Sequence, residues 1–79
     1  MEPFVTLYLD RKGFAAAEEQ AAELDEILGA ETSVGHLNVS LSSDTPGYIN
    51  IETRDEDIIR RAEDHFAGHV REVCRSWED

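Results

Sequence analysis

The chain has 79 residues, of which 41% are hydrophobic, and it carries a formal net charge of −11 from 18 acidic and 7 basic side chains. This length predicts a single small domain spanning residues 1–79, and no apolar run approaches the roughly 20 residues that a transmembrane helix needs. The acidic surface disfavours stand-alone binding of DNA or RNA, because such binding draws its affinity from basic side chains that displace counterions from phosphates.

The N-terminal part of the sequence predicts a strand followed by a helix. Apolar and polar residues alternate from Phe4 to Asp10, which is the pattern of a strand with one buried face. In the segment that follows, the apolar residues fall on one helical face: Ala17, Ala21, Leu24, Ile27 and Leu28. Gly29 is expected to end this first helix.

Two more strands are predicted in the middle of the chain. Residues 34–41 alternate again, with one set of polar side chains directed away from the core: His36, Asn38 and Ser40. Residues 48–52 alternate as well, and Pro46 and Gly47 suit the central positions of a type II turn. These features predict a hairpin of the second and third strands.

A long second helix is predicted for the C-terminal part. Residues 53–56 have the spacing of a capping box, and the helix is expected to continue to Trp77. Its apolar residues step by three or four positions: Ile59, Ala62, Phe66, Val70, Val73 and Trp77. The predicted fold class is therefore α+β, a two-layer βαββα sandwich with a three-stranded antiparallel sheet in the order 1-3-2 and both helices on one face.

Two surfaces are expected to bind a partner protein. A helix from Asp55 to Trp77 spans about 33 Å, whereas the strands span roughly 20 to 27 Å, so the end of the helix would overhang the sheet. The predicted helix interface consists of Phe66, Val70, Val73, Cys74 and Trp77. The alternative, that Trp77 packs against the domain's own core, remains open. The first strand, at the edge of the sheet, would offer the second surface through Phe4, Thr6 and Tyr8.

The sequence gives no support for catalysis or for a bound cofactor or metal. His65 and His69 have a spacing that metal sites use, but no Glu directly follows His65, as the metalloprotease pattern requires. Cys74 is the only cysteine, so an internal disulfide is excluded, and nothing in its sequence setting would activate its thiol.

The N-terminus has no basic stretch followed by an apolar one, as a secretory signal would. Together with the single cysteine, this predicts a cytoplasmic protein. The single lysine, Lys12, is typical of halophilic proteins.

The sequence resembles the small Pcc-type subunits of the KEOPS complex over nearly its whole length. The resemblance is carried by F-V-T-L-Y-L-D, by the hairpin, and by these positions of the C-terminal segment: Asp55, Asp57, Ile58, Ile59, Arg60, Ala62, Phe66, Val70 and Val73. It implies a βαββα domain that dimerises and docks a helical surface on the catalytic subunit, which makes threonylcarbamoyladenosine in tRNA. The resemblance implies no chemistry in the small subunit itself. The run Glu63-Asp64-His65 departs from the family's more apolar stretch and favours a divergent paralogue.

These patterns leave three functional hypotheses in order of preference. The first is a non-catalytic accessory subunit of a KEOPS-like complex that forms a homodimer, or a heterodimer with a related small subunit, and does not bind nucleic acid alone. The second is an acidic mimic of nucleic acid that inhibits a DNA- or RNA-binding protein. The third, a small metalloenzyme or thiol enzyme, would depend on His69 or Cys74.

Overall fold

The structure, a computed structural model, describes residues 2–37 and 45–78. In these ranges the chain forms β1 (Val5–Leu9), α1 (Arg11–Glu19), α2 (Leu24–Leu28), β2 (Thr32–His36), β3 (Gly47–Ile51), α3 (Glu56–His65) and β4 (Val70–Arg75). The strands form an antiparallel sheet in the order β2-β3-β1-β4. The α+β class, the antiparallel sheet and the order of the three predicted strands are confirmed. The three-strand count is wrong, because β4 completes a βαββαβ topology of the ferredoxin-like kind.

The first strand is central and not at the edge of the sheet. β1 pairs with β3 on one side and with β4 on the other. Val5, Leu7 and Leu9 are fully buried on the side that faces the helices, as their alternation predicts. Because both sides of its backbone are paired, β1 has no free edge, and the prediction that it pairs with another chain is wrong.

The predicted first helix is divided into two. Between α1 and α2 lies a turn in which the Glu23 N–H donates to the Gln20 carbonyl oxygen at 2.8 Å. This turn directs α2 so that Leu24 and Leu28 are fully buried. Gly29 ends α2 as predicted, with a φ of 78° that favours glycine.

The second predicted helix is shorter than expected. It ends twelve residues before Trp77, so the predicted overhang is absent. α3 ends at His65, and Phe66 caps it by donating its N–H to the Ala62 carbonyl oxygen at 3.1 Å. Gly68 follows with a φ of 85°, which turns the chain out of the helix. The chain then returns as β4 alongside β1.

A β-bulge explains why β4 has the hydrophobic spacing of a helix. Val73 lies opposite Leu7, and Val70 lies opposite Leu9, with a shift of register between the two pairs. In a regular strand, residues three apart point to opposite faces; the extra residue, Arg71, brings both valines to the core side. A spacing of three residues therefore occurs here in a strand.

The β2 strand begins earlier than predicted and has the opposite facing. Val34 pairs with Ile49 and faces the helices. His36 lies on the same side, with its ring centroid 5.0 Å from that of Phe14, so its predicted facing is wrong, although its side chain is exposed. The predicted extension to Leu41, with Asn38 and Ser40, lies outside the described residues.

The helices share one core with one face of the sheet, as predicted. Buried hydrophobic residues from strands and helices form a single cluster: Val5, Leu7, Leu9, Phe14, Ala17, Leu24, Leu28, Ile49, Ile51, Ile59, Ala62 and Phe66. The opposite side of the sheet, called the open face below, carries the alternate strand residues and is not packed against α1, α2 or α3. None of the helices in residues 2–37 and 45–78 is long and apolar enough to cross a membrane.

Candidate interaction surface on the open sheet face

Strand register determines which side chains lie on the open face. Residues directly opposite each other in an antiparallel sheet point to the same side. The strand residues on the open face are therefore Ser33 and Gly35 of β2, Tyr48 and Asn50 of β3, Thr6 and Tyr8 of β1, and Glu72 and Cys74 of β4. Phe4 precedes β1 and extends the same row.

A hydrogen bond between two neutral side chains holds the centre of the open face. The Thr6 hydroxyl donates to the Asn50 side-chain oxygen at 2.6 Å. Thr6 is only 8% exposed, although no helix covers it, because it lies between Asn50 and Cys74 on the neighbouring strands. The centre of this face is thus uncharged and fixed in position.

Aromatic side chains lie along β1 and β3 on this face. The Tyr8 and Tyr48 rings meet edge to face, with centroids 6.0 Å apart. The Tyr48 ring covers Gly35, where an added Cβ atom would overlap the ring. At the other end of β1, Phe4 is 37% exposed. These rings give the open face apolar area that could contact another protein.

One corner of the open face is strongly acidic. A cleft of about 380 Å³ is bordered by Phe4, Asn50 and four carboxylates: Glu2, Asp25, Glu31 and Glu52. A side-chain hydrogen bond with Glu31 raises the pKa of Glu52, and the negative charge of Glu31 raises it further. Carboxylates held this close repel one another when both are ionised, which gives this corner a concentrated negative potential.

The opposite corner contains one cation and the free thiol. A cleft of about 280 Å³ is lined by Tyr8, Thr45, Arg71 and Glu72. The Cys74 thiol donates to the Glu72 carboxylate at 3.0 Å, and this hydrogen bond raises the pKa of Cys74. A thiol with a raised pKa is ionised to a smaller extent at neutral pH and is therefore less reactive.

Both edge strands carry features that hinder pairing with another chain. The edge strands are β2 and β4. Glu31, just before β2, bonds to β3 by accepting the Glu52 N–H. Because the residues of an antiparallel strand alternate in direction, the next residue, Thr32, directs its N–H away from β3. Asp25 accepts that Thr32 N–H at 3.0 Å. β4 is bulged, and its Arg75 side chain turns to the helix side. Bulges, capped donors and inward charges are typical protections of edge strands, so the open face is the more accessible surface.

The charge of Arg75 is compensated at the start of α3. Its guanidinium donates to both carboxylate oxygens of Glu56, at 3.0 and 2.9 Å. This pairing lowers the pKa of Glu56 and raises the pKa of Arg75. The bidentate pair connects β4 to α3 and leaves Arg75 no role on the open face.

The structure divides the predicted interface residues between the two sides of the sheet. On the open face it brings together Phe4, Thr6, Tyr8 and Cys74. On the helix side lie Phe66, which is 3% exposed, and three residues that are partly buried against the core: Val70, Val73 and Trp77. The Arg54 guanidinium also stacks over Trp77, 5.3 Å from the ring centroid. The overhanging helix was the physical argument for this second group, and that helix does not exist.

The two histidines considered as a metal pair each bond to another element. His65 Nε2 lies 2.7 Å from the Gln20 side-chain oxygen, and His69 Nδ1 lies 2.9 Å from the Asp10 carboxylate. Across the described part of the chain, no three His, Cys, Asp or Glu side chains are grouped so that they could hold a metal ion.

Sequence reasoning missed several residues that form this surface. Glu31, Ser33 and Arg71 belong to it only because of where β2 begins and where β4 pairs. Tyr48 and Asn50 do carry a sequence signal, since they alternate with the buried Ile49 and Ile51. A comparison of the sequence with models of known protein families finds no match, and a comparison with curated proteins finds none either.

Proposed function

We propose that this chain is a non-catalytic protein-binding subunit and that its binding surface is the open face of the sheet. The observation that carries the proposal is the one-sided packing of the fold. The helices cover one face of the sheet, while Phe4, Tyr8 and Tyr48 surround the neutral Thr6–Asn50 pair on the other. Partly exposed aromatic rings around a rigid polar centre are typical of protein interfaces.

The charge around these rings favours a protein partner over nucleic acid. Open sheet faces with aromatic residues can stack bases, but such sites also need cations for the phosphates. On this face the cation Arg71 stands beside Glu72, and three carboxylates lie at the opposite corner: Glu2, Glu31 and Glu52. A phosphate backbone would be repelled by most of this surface.

The family resemblance suggests which protein the partner is. We propose a cytoplasmic KEOPS-like tRNA-modification complex, in which the chain pairs with a related small subunit or with the catalytic subunit. The resembling C-terminal segment is here divided between α3 and β4. A helical docking surface would therefore be confined to α3, and the open face would make the remaining contacts.

A second candidate function is supported by the acidic corner. Glu2, Asp25, Glu31 and Glu52 border one cleft, and such a cluster of carboxylates could imitate the charges of a nucleic-acid backbone. A mimic of this kind would inhibit a DNA- or RNA-binding protein. Its binding should fade in high salt, whereas contact through aromatic rings should persist.

The proposal is tested by capturing partners on the tagged chain from native cells at high salt. We expect the wild-type chain to recover a KEOPS component and the Tyr8→Ala/Tyr48→Ala variant to lose it. The matched control is Glu19→Ala, at an exposed position of α1 that lies outside both proposed surfaces. A thermal melt confirms that each variant is folded. Recovery of no KEOPS component overturns the assignment, and undiminished capture by the tyrosine variant overturns the role of the open face.

The lone cysteine gives a second measurement of the same surface. Cys74 is exposed on the open face and is the only thiol in the chain. Its alkylation by iodoacetamide should slow when the captured partner covers this face. An unchanged alkylation rate in the purified complex would show that the partner binds elsewhere.

A further inference from the structure

We infer that the partner of the open face is a protein that presents an arginine or lysine beside an apolar contact, and that this side chain binds between Phe4 and the Glu31–Glu52 pair. This inference rests on the proposed function, since it specifies the chemistry of the protein that covers the open face. Three features of the corner support it: its shape, its unbalanced charge and the exposure of its aromatic ring.

The shape of the corner suits a long cationic side chain. Phe4 and Asn50 line the cleft of about 380 Å³ together with Glu31 and Glu52. Arginine and lysine place an aliphatic stem on apolar surface while the charged head reaches outward, and a guanidinium also stacks on aromatic rings. Phe4 is 37% exposed and lines this cleft, so part of its side chain is accessible to such a stem.

The backbone around Phe4 is fixed, so the ring is held in position for contact. The Phe4 N–H donates to the Ser76 hydroxyl at 3.0 Å, and the Ser76 N–H donates to the Phe4 carbonyl oxygen at 2.9 Å. These two bonds continue the pairing of β1 with β4 beyond the strand ends. A prearranged aromatic contact lowers the ordering cost of binding.

The charge of the corner is not balanced by the ion pairs seen elsewhere. Arg75 is held by Glu56, and Arg60 lies 3.6 Å from Asp57, both on the helix side. The Glu31 side chain instead lies beside that of Glu52 and raises the pKa of Glu52, through a side-chain hydrogen bond and through its negative charge. A guanidinium can donate to two carboxylates at once and would supply the opposite charge.

Other occupants fit less well. Three ligand side chains suited to a metal ion are not grouped anywhere in residues 2–37 and 45–78. Phosphates would meet like charge at this corner. A second copy of the chain would bring another net charge of −11 to the contact, which opposes self-association outside high salt. A basic protein surface has the complementary charge.

The inference is tested first with a defined probe, argininamide. The probe is added to the isotope-labelled chain, and its binding is detected by NMR. The neutral analogue citrullinamide is the matched ligand control. We expect argininamide to shift the backbone signals of Phe4, Glu31 and Glu52, and the Glu31→Gln/Glu52→Gln variant to bind it roughly threefold more weakly per carboxylate removed. The Glu19→Gln/Asp64→Asn variant removes the same charge from exposed helix positions and should bind like the wild type.

The captured partner then separates a failure of the inference from a failure of the proposed function. If the Glu31→Gln/Glu52→Gln variant keeps the partner while Tyr8→Ala/Tyr48→Ala loses it, the open face binds protein but the inference is overturned. Shifts spread evenly over all the carboxylates overturn it as well. A dimer of the chain alone that protects Cys74 from alkylation would show that a second copy covers the face, with the same consequence.

Discussion

Asp10 forms hydrogen bonds that connect three segments of the chain. Its carboxylate caps α1 by accepting the Gly13 N–H at 2.8 Å, and it also bonds to the His69 ring at 2.9 Å. Its own N–H donates to the His69 carbonyl oxygen at 2.9 Å. The end of β1, the start of α1 and the segment before β4 therefore meet at this residue. Gly13 belongs to the same junction, since a Cβ atom there would approach that of His69 to 2.8 Å.

Replacement of Asp10 should weaken the fold in a pH-dependent way. The Gly13 N–H and His69 lower the pKa of Asp10 below its ordinary value of 3.8, so the ionised form is favoured in the native state. The stabilisation is complete above the unfolded pKa and is lost as the pH falls through the lowered native pKa. Asp10→Ala should cost about 1 kcal/mol of unfolding free energy at neutral pH, and Asp10→Asn less, because it keeps a capping acceptor.

Chemical denaturation over a range of acidic pH checks this prediction. The stability difference between the wild type and Asp10→Asn should shrink as the pH falls below about 4, near the unfolded pKa. A difference that stays constant, or that grows in acid, would contradict the assigned role of the Asp10 carboxylate.

Removing Glu72 should make Cys74 more reactive. The hydrogen bond and negative charge of Glu72 raise the pKa of the Cys74 thiol, so a smaller fraction is thiolate at pH 8. In Glu72→Gln the pKa should return toward its ordinary value, and alkylation by iodoacetamide at pH 8 should be faster. At a pH where Cys74 is fully ionised in both the wild type and the variant, the two alkylation rates should converge. Equal rates at pH 8 would mean that Glu72 does not contact the thiol in solution.

At the scale of elements, β4 determines the architecture of the sheet. It covers the side of β1 that would otherwise be an edge, and it contributes Val70 and Val73 to the core side. Its Arg75 pairs with Glu56 at the start of α3, so β4 is connected to the helix layer as well as to the sheet. The segment that the sequence assigned to a partner interface is therefore part of the domain itself.

Substitution of Val73 distinguishes these two roles. Val73→Glu places a charge beside Leu7 on the core side of the sheet and should lower the unfolding free energy of the isolated chain by about 2 kcal/mol. The matched change on the other side of the same strand is Cys74→Thr, which should alter stability by less than about 0.5 kcal/mol. Denaturant unfolding of both variants checks this. If Val73→Glu leaves the isolated chain stable but impairs association, Val73 belongs to an interface.

The helical reading of residues 66–77 failed for an identifiable reason. A helix and a bulged strand both place residues three apart on one side, so the spacing of Val70 and Val73 does not distinguish them. Gly68 was the available signal, because glycine after an apolar helical run often ends the helix. The same rule, applied at Gly29, correctly predicted the end of α2.

At the scale of the whole molecule, the net charge of −11 works against the compact state. Acidic residues lie on the helices and around the open face. At one corner, a side-chain hydrogen bond with Glu31 and the negative charge of Glu31 raise the pKa of Glu52. Self-repulsion of this kind destabilises a small domain whose core offers limited stabilisation. Cations from salt screen it.

Salt should therefore stabilise the chain. We expect the melting temperature to rise by several degrees between about 0.1 and 1 M NaCl, since a change of about 1 kcal/mol moves a domain of this size by roughly 4–8 °C. The Glu31→Gln/Glu52→Gln variant should gain less from salt than the wild type because part of the repulsion is gone. A melting temperature that is independent of salt would contradict this account.

The sequence by itself determined the α+β class, the approximate positions of two strands and the order of three of the four strands. The two strands were predicted at residues 4–10 and 48–52 and run from Val5 to Leu9 and from Gly47 to Ile51, so Gly47 begins a strand and does not lie in the predicted turn. The sequence could do so because burial of one face imposes a period of two on a strand, whatever the rest of the fold does. Tertiary structure decided the rest. Pairing with β1 made residues 70–75 a strand, the register with β3 set the facing of His36, and both together determined which side chains share the open face. Such choices depend on long-range hydrogen bonds between strands, and these leave no periodic trace in the local sequence.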